Sequence, residues 1–420
     1  MNRDVYIIDG SRTPFLKAGA KPNPLAAADL AVAAAKPLLA RQPFAPTDIG
    51  EVVIGCVGPS ASEANIGRII GLRAGCGDDV PGWTVQRNCA SGLQALDCAA
   101  LDISNGRYDI ALAGGTEAMS RAPLLFSDEM VSWLGDLNSA KNIQQKLLTM
   151  LKFRPSYLVP VISLLKALSD PVVNLSMGQT AEKLAFRYNI SRTEMDQFAV
   201  QSQLRAAAAI KNNLFSDELV PLFDWRGKCY EADTGVRADS SVEKLATLKP
   251  VFDKPFGSVT AGNSSQISDG AALVILASMD AIKKYNLKPL ARIVDVAWEA
   301  LDPSVMGLGP AYAIAALLKK NKLPLSAIDY FEINEAFACQ VIACIRYLEE
   351  HKLGTLDQAK LNVDGGAIAM GHPVGASGAR LALHLCHTLR RNNAKYGIAT
   401  LCIGGGQGGG MLLENVMGGV

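Results

Sequence analysis

Apolar positions in the first part of the chain fall into two rhythms. Short β-rich runs at residues 5–8, 52–57 and 110–113 alternate with longer stretches in which apolar residues recur every three or four positions. Leu30, Ala34 and Leu38 form one such stripe within residues 24–40, where Pro37 is expected to kink or shorten the last turn. Leu93, Leu96, Ala100 and Ile103 form another, stopped by Gly106. Between them Trp83-Thr84-Val85-Gln86 reads as a short buried strand. Strand–helix alternation of this kind predicts a parallel sheet covered by helices.

The rhythm changes after Gly114-Gly115-Thr116-Glu117. Residues 120 to about 250 lack regular strands and hold helices near 178–187 and 193–211. Within this region residues 139–168 carry Lys141, Lys146, Lys152, Arg154 and Lys166 with no acidic residue, interleaved with leucines and broken by Pro155 and Pro160. That pattern predicts a basic amphipathic helical hairpin, suited to an anionic membrane surface, to a partner, or to covering the protein's own cleft. From Thr260 the alternation returns, with strands at 273–276, 291–296 and 330–333 and helices at 311–320 and 335–350.

The second stretch of alternation echoes the first. Ala90-Ser91-Gly92 opens a helix leading to Tyr108-Asp109-Ile110-Ala111 and Gly114-Gly115; Ala376-Ser377-Gly378 opens one leading to Tyr396-Gly397-Ile398-Ala399 and Gly404-Gly405. A duplication accounts for both. The expected organisation is an N-terminal α/β half over 1–119, completed by about 251–277, a mostly helical loop domain over 120–250, and a C-terminal α/β half over 278–420.

Composition narrows the function. A chain of 420 residues, 49% hydrophobic, is long enough for two or three domains with real cores. Lys+Arg of 41 against Asp+Glu of 40 leaves no basic surplus for nucleic acid, so small-molecule partners are expected. Nine cysteines without a C-x-x-C pair argue against a disulfide framework or a zinc ribbon and fit a reducing, cytoplasmic setting. With a strand already at residues 5–8 and no charged leader or cleavage site before it, secretion is not expected, and no apolar run reaches the ~18 residues of a membrane span.

Candidate chemistry collects in the duplicated loops. Cys89 lies at a strand-to-helix turn, where unpaired backbone N–H groups favour a thiolate and are expected to lower its pKa; the competing reading is a small buried apolar residue. His372 stands between Gly371 and Pro373, a loop setting with little packing purpose. Cys402 adjoins Gly404-Gly405-Gly406, where missing side chains admit a substrate to the backbone. That glycine run formally contains G-x-G-x-x-G, but Met411-Leu412-Leu413 continues as a strand, against a dinucleotide site. His384 and His387 flank Cys386 on a helix without further metal ligands, His351 reads as surface, and Asn334 is a candidate helix N-cap before Glu335.

Four motifs in order resemble the thiolases: Asn88-Cys89-Ala90-Ser91-Gly92, Asn334-Glu335-Ala336-Phe337-Ala338, Gly371-His372-Pro373 and Cys402-Ile403-Gly404-Gly405-Gly406. The resemblance runs nearly end to end. It implies an α/β thiolase fold, two duplicated halves packed together with an inserted helical loop domain. The implied activity is interconversion of 3-ketoacyl-CoA plus CoA with acetyl-CoA plus a shorter acyl-CoA. In that scheme Cys89 is the acyl-accepting nucleophile, His372 takes its proton, and Cys402 moves the α-proton of acetyl-CoA. One oxyanion site falls to His372 with a water held by Asn334, the other to the N–H groups of Cys89 and Gly404. Coenzyme A and acyl-CoA are the implied substrates, with no permanently bound cofactor and no metal.

By the same resemblance Met177 lies beside the acyl thioester, Ser265 near the pantetheine and Arg237 near the adenine, while Ser176 departs from the histidine many thiolases carry. The basic hairpin and Met177-Gly178-Gln179-Thr180-Ala181-Glu182 resemble β-subunits of fatty-acid β-oxidation complexes; Asn334-Glu335-Ala336-Phe337 is closer to short-chain acetoacetyl-CoA thiolases. A homodimer or homotetramer, a β-oxidation partner subunit and a peripheral membrane contact are the implied associations. A condensing ketoacyl synthase is the rival enzyme, disfavoured by Cys402; a non-catalytic acyl-CoA-binding scaffold is the rival from another class.

Overall fold

The computed structural model describes residues 3–416. One mixed sheet carries nine main strands: β1 (Val5–Arg12), β2 (Glu51–Gly55), β3 (Gly82–Val85), β4 (Ile110–Ala118), β5 (Ser268–Ser278), β6 (Ala291–Ala300), β7 (Tyr330–Ile333), β8 (Tyr396–Ile403) and β9 (Gln407–Asn415). Their order is β7-β8-β9-β6-β1-β5-β4-β2-β3, with the short strand Leu16–Lys17 beside β5. The two halves repeat one set of pairings. β2 and β4 are parallel, as are β7 and β8; β4–β5 and β5–β1 are antiparallel, as are β8–β9 and β9–β6. Each opening strand breaks register at the same place, β1 between Ile7 and Asp9 and β6 between Ile293 and Asp295. At each bulge the aspartate Oδ1 accepts the next residue's N–H, 2.8 Å from Gly10 and 2.9 Å from Val296.

Side-chain alternation divides the core. Tyr6, Ile8, Val52 and Ile54 pack on one face under the Ala27–Ala40 helix. Val5, Ile7 and Val53 point to the other face and meet Ala399, Leu401 and Met411 of the second half. Between these inner faces lie the helices Ser91–Ser104 and Val374–Arg391, and the latter is buried on nearly every side. Helices Gly309–Asn321 and Ala338–Glu350 cover the second half's outer face.

The two central helices touch backbone to backbone at their N-termini. A Cβ at Gly92 would lie 2.7 Å from the Gly375 carbonyl oxygen, and one at Gly378 would lie 2.5 Å from the Leu93 nitrogen. Glycine is required there by space, and the close crossing brings together the loops that precede each helix.

Several expectations are corrected. The 82–85 strand is the sheet's outer edge, with Trp83 37% exposed, because only β2 flanks it. The first helix runs through Pro37 to Ala40, since the proline sits on the solvent side where the carbonyl it leaves unpaired can be hydrated. The expected 139–168 hairpin is instead formed by Asp128–Ser139 against Ile143–Leu151, held by Trp133 Nε1 donating to the Thr149 carbonyl at 2.9 Å and by the Trp133–Phe153 ring pair. Pro155 opens a single 3-10 turn, and the chain then pairs Val161–Ile162 with Leu124–Leu125 before the short helix Ser163–Ala167. Asp128, Glu129 and Asp136 therefore share the hairpin with the lysines.

Beneath the central helices a buried charge network ties the loop region to the sheet. Arg12 donates to Glu218 at 2.6 Å and to Asp233 at 2.8 Å, while His384 bridges Glu218 at 2.9 Å and Asp364 at 3.1 Å. Burial alone would lower the His384 pKa, but the two carboxylates push it up to about 10. Glu218, despite its burial, is held well below the usual carboxylate range by His384 and Arg12. His384 is thus a structural cation.

The network sets the sign of a pH dependence. A histidine whose folded pKa exceeds its unfolded value of ~6.5 contributes fully below that value and loses the contribution as pH rises through the folded pKa. Urea midpoints should therefore fall between about pH 6.5 and 10, and His384→Gln should remove most of that slope while lowering stability at pH 6. A slope unchanged by His384→Gln would assign the loss to other groups.

Candidate active site

The nucleophile turn is built by short-range bonds. After β3 the chain reaches Asn88, whose φ of 43° is left-handed, a conformation asparagine tolerates better than most residues. Ser91 Oγ accepts from the Arg87 N–H at 2.9 Å and donates to the Asn88 carbonyl at 2.7 Å, closing the turn just before the helix. Asn88 Nδ2 donates to the Gly404 carbonyl at 2.8 Å, clamping the turn onto the β8–β9 connection.

Cys89 is half-buried, and its sulfur faces the backbone N–H groups of Gly404 and of Cys89 itself. Burial nevertheless pushes its thiol up to about 11, with those donors pulling only partly back. The expected lowering at a helix N-terminus is overturned: the helix begins at Ser91, and desolvation outweighs two partial charges. Cys402, 1% exposed, is raised well above the usual thiol value by burial and by the neighbouring Cys89. Met177 stands beside the same loop, its Sδ 3.3 Å from where a Cβ on Gly404 would be.

His372 enters from the second half. Gly371, at φ 114°, has no room for a Cβ, which would meet Ser268 Oγ at 2.2 Å. His372 N–H donates to the Gln266 carbonyl at 3.2 Å, Nδ1 lies 2.6 Å from Ser377 Oγ, and Nε2 lies 3.3 Å from Asn334 Nδ2. Burial, then the charge of Arg380, lowers its pKa to about 4, so the ring is neutral near pH 7.

Asn334 is wholly buried at the end of β7, its N–H bonded to Thr400 at 2.9 Å and its Oδ1 without a partner among the described residues. It is not an N-cap, since the following helix starts after Phe337, and its side chain is left to the site. Ser265 lies on the adjoining loop, its N–H bonded to Ala336 at 2.9 Å.

The structure thus joins Cys89 to Cys402, Gly404 and Met177, and Asn334 to His372. Arg237 stands apart, exposed at the surface near Lys17. Ser176 caps its helix, accepting the Gln179 N–H at 3.3 Å, a local reason for serine there.

Three supporting residues escaped the sequence reading. Ser377 contacts the imidazole directly. Glu335 is buried and accepts from Ser202 at 2.6 Å, Asn362 at 2.8 Å and the Ile368 N–H at 3.2 Å, fixing the chain around Asn334. Glu117 accepts from the N–H groups of Val57, Gly58 and Gly375, pinning the histidine loop to the first half. Ser377 had a signal in the repeated Ala-Ser-Gly, and Glu335 in the Asn334-Glu335-Ala336-Phe337 motif. Among the described residues no group of three or more His, Cys, Asp or Glu is placed to hold a metal ion.

A neutral thiol under two backbone donors, a second thiol beside it, and a neutral imidazole paired with an amide form a site for acyl transfer with proton shuttling. Comparison with known proteins agrees. The family described as "Thiolase, N-terminal domain" matches residues 5–280, and "Thiolase, C-terminal domain" matches residues 287–415. The human mitochondrial 3-ketoacyl-CoA thiolase is 40% identical over 98% of this chain and 98% of its own length. The β-ketoadipyl-CoA thiolase of Pseudomonas aeruginosa is 39% identical over 99% of this chain and 100% of its own. Among solved structures, the Bacillus anthracis acetyl-CoA acetyltransferase superposes with a TM-score of 0.88 at 36% identity, covering 99% of each chain. Human mitochondrial 3-ketoacyl-CoA thiolase in complex with CoA also gives 0.88, at 39% identity, covering 99% of this chain and 98% of that one. The chain belongs to the thiolase family. It is an acyltransferase with thiolase chemistry, in preference to a ketoacyl synthase or a passive binding scaffold.

Proposed function

We propose that this chain cleaves 3-ketoacyl-CoA with CoA in two half-reactions linked by an acyl group on Cys89, and runs the reverse condensation of acetyl-CoA by the same steps. The observation that carries the assignment is the junction of the loops: Asn88 Nδ2 on the Gly404 carbonyl at 2.8 Å clamps the Cys89 turn to the Cys402–Gly404 segment, and the Gly92–Gly375 crossing brings the His372 loop to the same place. His372 Nε2 takes the Cys89 proton as the sulfur attacks the keto carbon. Both groups start neutral, so proton loss and attack proceed together instead of from a standing thiolate. The C–C bond then breaks towards acetyl-CoA, whose enolate oxygen is stabilised by His372 and a water donating to Asn334 Oδ1. Cys402 gives its proton to the α-carbon. In the second half-reaction the CoA thiol gives its proton to the Cys402 thiolate as it attacks the acyl thioester on Cys89, the departing Cys89 sulfur regains its proton from His372, and the two backbone N–H groups hold the oxyanion.

Met177 and Ser265 contact the thioester and pantetheine in this reading, and Arg237 lies at the adenine end. The relatives bear names that differ in acyl group at almost equal identity, so the chain-length preference does not follow from likeness. All nine cysteines are free, which supports a reducing compartment. The edge strand β3 offers a pairing surface to a second copy, in keeping with a homodimer or homotetramer.

Cys402→Ala should still take up an acetyl group from acetyl-CoA, since that half-reaction breaks no C–H bond. Condensation and exchange of the acetyl methyl protons in heavy water should both fall by roughly 10² to 10⁴. Normal exchange in this variant would refute the proton-transfer role.

A peripheral contact is proposed for the helix Ile143–Leu151. None of its residues is buried; Ile143 is 71% and Leu151 82% exposed, and Lys141, Lys146, Lys152 and Arg154 surround them. An anionic membrane, or a β-oxidation partner subunit, is the proposed occupant, with about 1 kcal/mol from each cation near an anionic leaflet. Leu147→Glu with Leu151→Glu should abolish low-salt co-sedimentation with anionic vesicles and leave turnover of soluble substrate intact. Co-purification of another subunit without vesicle binding would select the protein partner; neither behaviour in the wild type would return the helix to a cleft cover.

A further inference from the structure

Ser377 sits at the first turn of the central Val374–Arg391 helix and is 1% exposed. Its Oγ lies 3.0 Å from the Pro373 carbonyl oxygen and 2.6 Å from His372 Nδ1. A hydroxyl has one proton, and a carbonyl can only accept. Assigned to Pro373, whose carbonyl also accepts the N–H groups of Ala376 and Ser377, the proton leaves a lone pair facing the imidazole. Nδ1 must then carry the ring hydrogen. In a neutral imidazole this leaves Nε2 bare, and Nε2 is the atom 3.3 Å from the Asn334 amide nitrogen, a donor. The two hydrogen bonds on opposite sides of the ring select the same tautomer. Burial and Arg380 keep the ring neutral, so the selection operates at ordinary pH.

The duplication makes the role visible. Ser91, the counterpart of Ser377, divides its hydroxyl in the same way: it donates to the Asn88 carbonyl at 2.7 Å and accepts from an N–H, that of Arg87, at 2.9 Å. In the first half the accepted N–H belongs to the backbone just before the nucleophile. In the second half it belongs to the imidazole, so one inherited turn serves both reacting groups.

We propose that Ser377 is a positioning residue for the thiolase reaction, holding His372 in the Nδ1–H tautomer so that bare Nε2 is presented to the proton of Cys89. The proposal rests on the reading of His372 as the proton acceptor. The opposite tautomer has no lone pair at Nε2 and would set an N–H against the Asn334 amide hydrogens, so it cannot accept the proton without turning.

The test uses the full-length enzyme labelled with ¹⁵N-histidine. The chain has only four histidines, and His372→Asn identifies the His372 signals by their loss. The wild type should show a protonated Nδ1 and an unprotonated Nε2. Ser377→Ala should show a mixture of tautomers, with kcat for thiolysis down by about 10²-fold, the scale of a misdirected catalytic group, and KM nearly unchanged. Ser377→Thr, which restores the hydroxyl, should recover both the tautomer and most of the rate. A wild-type spectrum with the hydrogen on Nε2 overturns the proposal, and needs no variant to fold. A Ser377→Ala enzyme that keeps the pure Nδ1–H form overturns it as well, whatever its rate, because the hydroxyl would then act through packing alone. The underlying reading fails separately, if His372→Asn forms the acyl-enzyme at the wild-type rate.

Discussion

The backbone contact between the two Ala-Ser-Gly turns is the constraint on which the site depends. Gly92 meets Gly375 and Gly378 meets Leu93 at distances that exclude any Cβ, and a Cβ on Gly115 would lie 1.9 Å from the Gly375 carbonyl oxygen. Because the turns cannot separate without unpacking two buried helices, the loops bearing Cys89 and His372 are held at one place. Glu117, accepting N–H groups from Val57, Gly58 and Gly375, stitches the same junction from the other side. Catalytic geometry is thereby fixed by main chain and by helix packing, the stiffest parts of the molecule.

Burial at that junction decides the electrostatics. It raises both thiols and lowers the imidazole, so the resting site holds no ion pair. Two backbone donors at Cys89 are too few to offset desolvation in the ground state; in the proposed mechanism they would hold the oxygen that becomes charged during attack. The site is arranged for charge that appears in the transition state and disappears after it, in agreement with a carbanion chemistry that must protect its enolate from stray protons. Farther down, His384 shows the opposite outcome of the same burial, where paired carboxylates keep a histidine charged for structural ends.

Much of this was legible in the sequence because the informative features are repeated or compositionally rare. The duplicated Ala-Ser-Gly, the glycine-flanked His372 and the strand–helix rhythm survive in a one-dimensional reading, since each reflects local geometry. What could not be read depends on contacts between distant segments. The direction of the Cys89 shift follows from how deeply the second half buries it; Glu335 needs Ser202 and Asn362; Trp83 is at an edge because no strand follows in space. The hairpin lies at 128–151 and not at 139–168 because charge pattern and fold obey different segments: the acid-free basic stretch extends to Lys166, but the second helix ends at Leu151.

In the proposed mechanism Cys89 alone carries the acyl group between half-reactions. Brief mixing with acetyl-CoA, acid quenching and peptide mass spectrometry test it directly. One acetyl group per chain is expected, on the peptide containing Cys89, absent from a folded Cys89→Ser variant and discharged by added CoA. An acetyl group that maps to Cys402 or another cysteine, or that persists on Cys89→Ser, would contradict it.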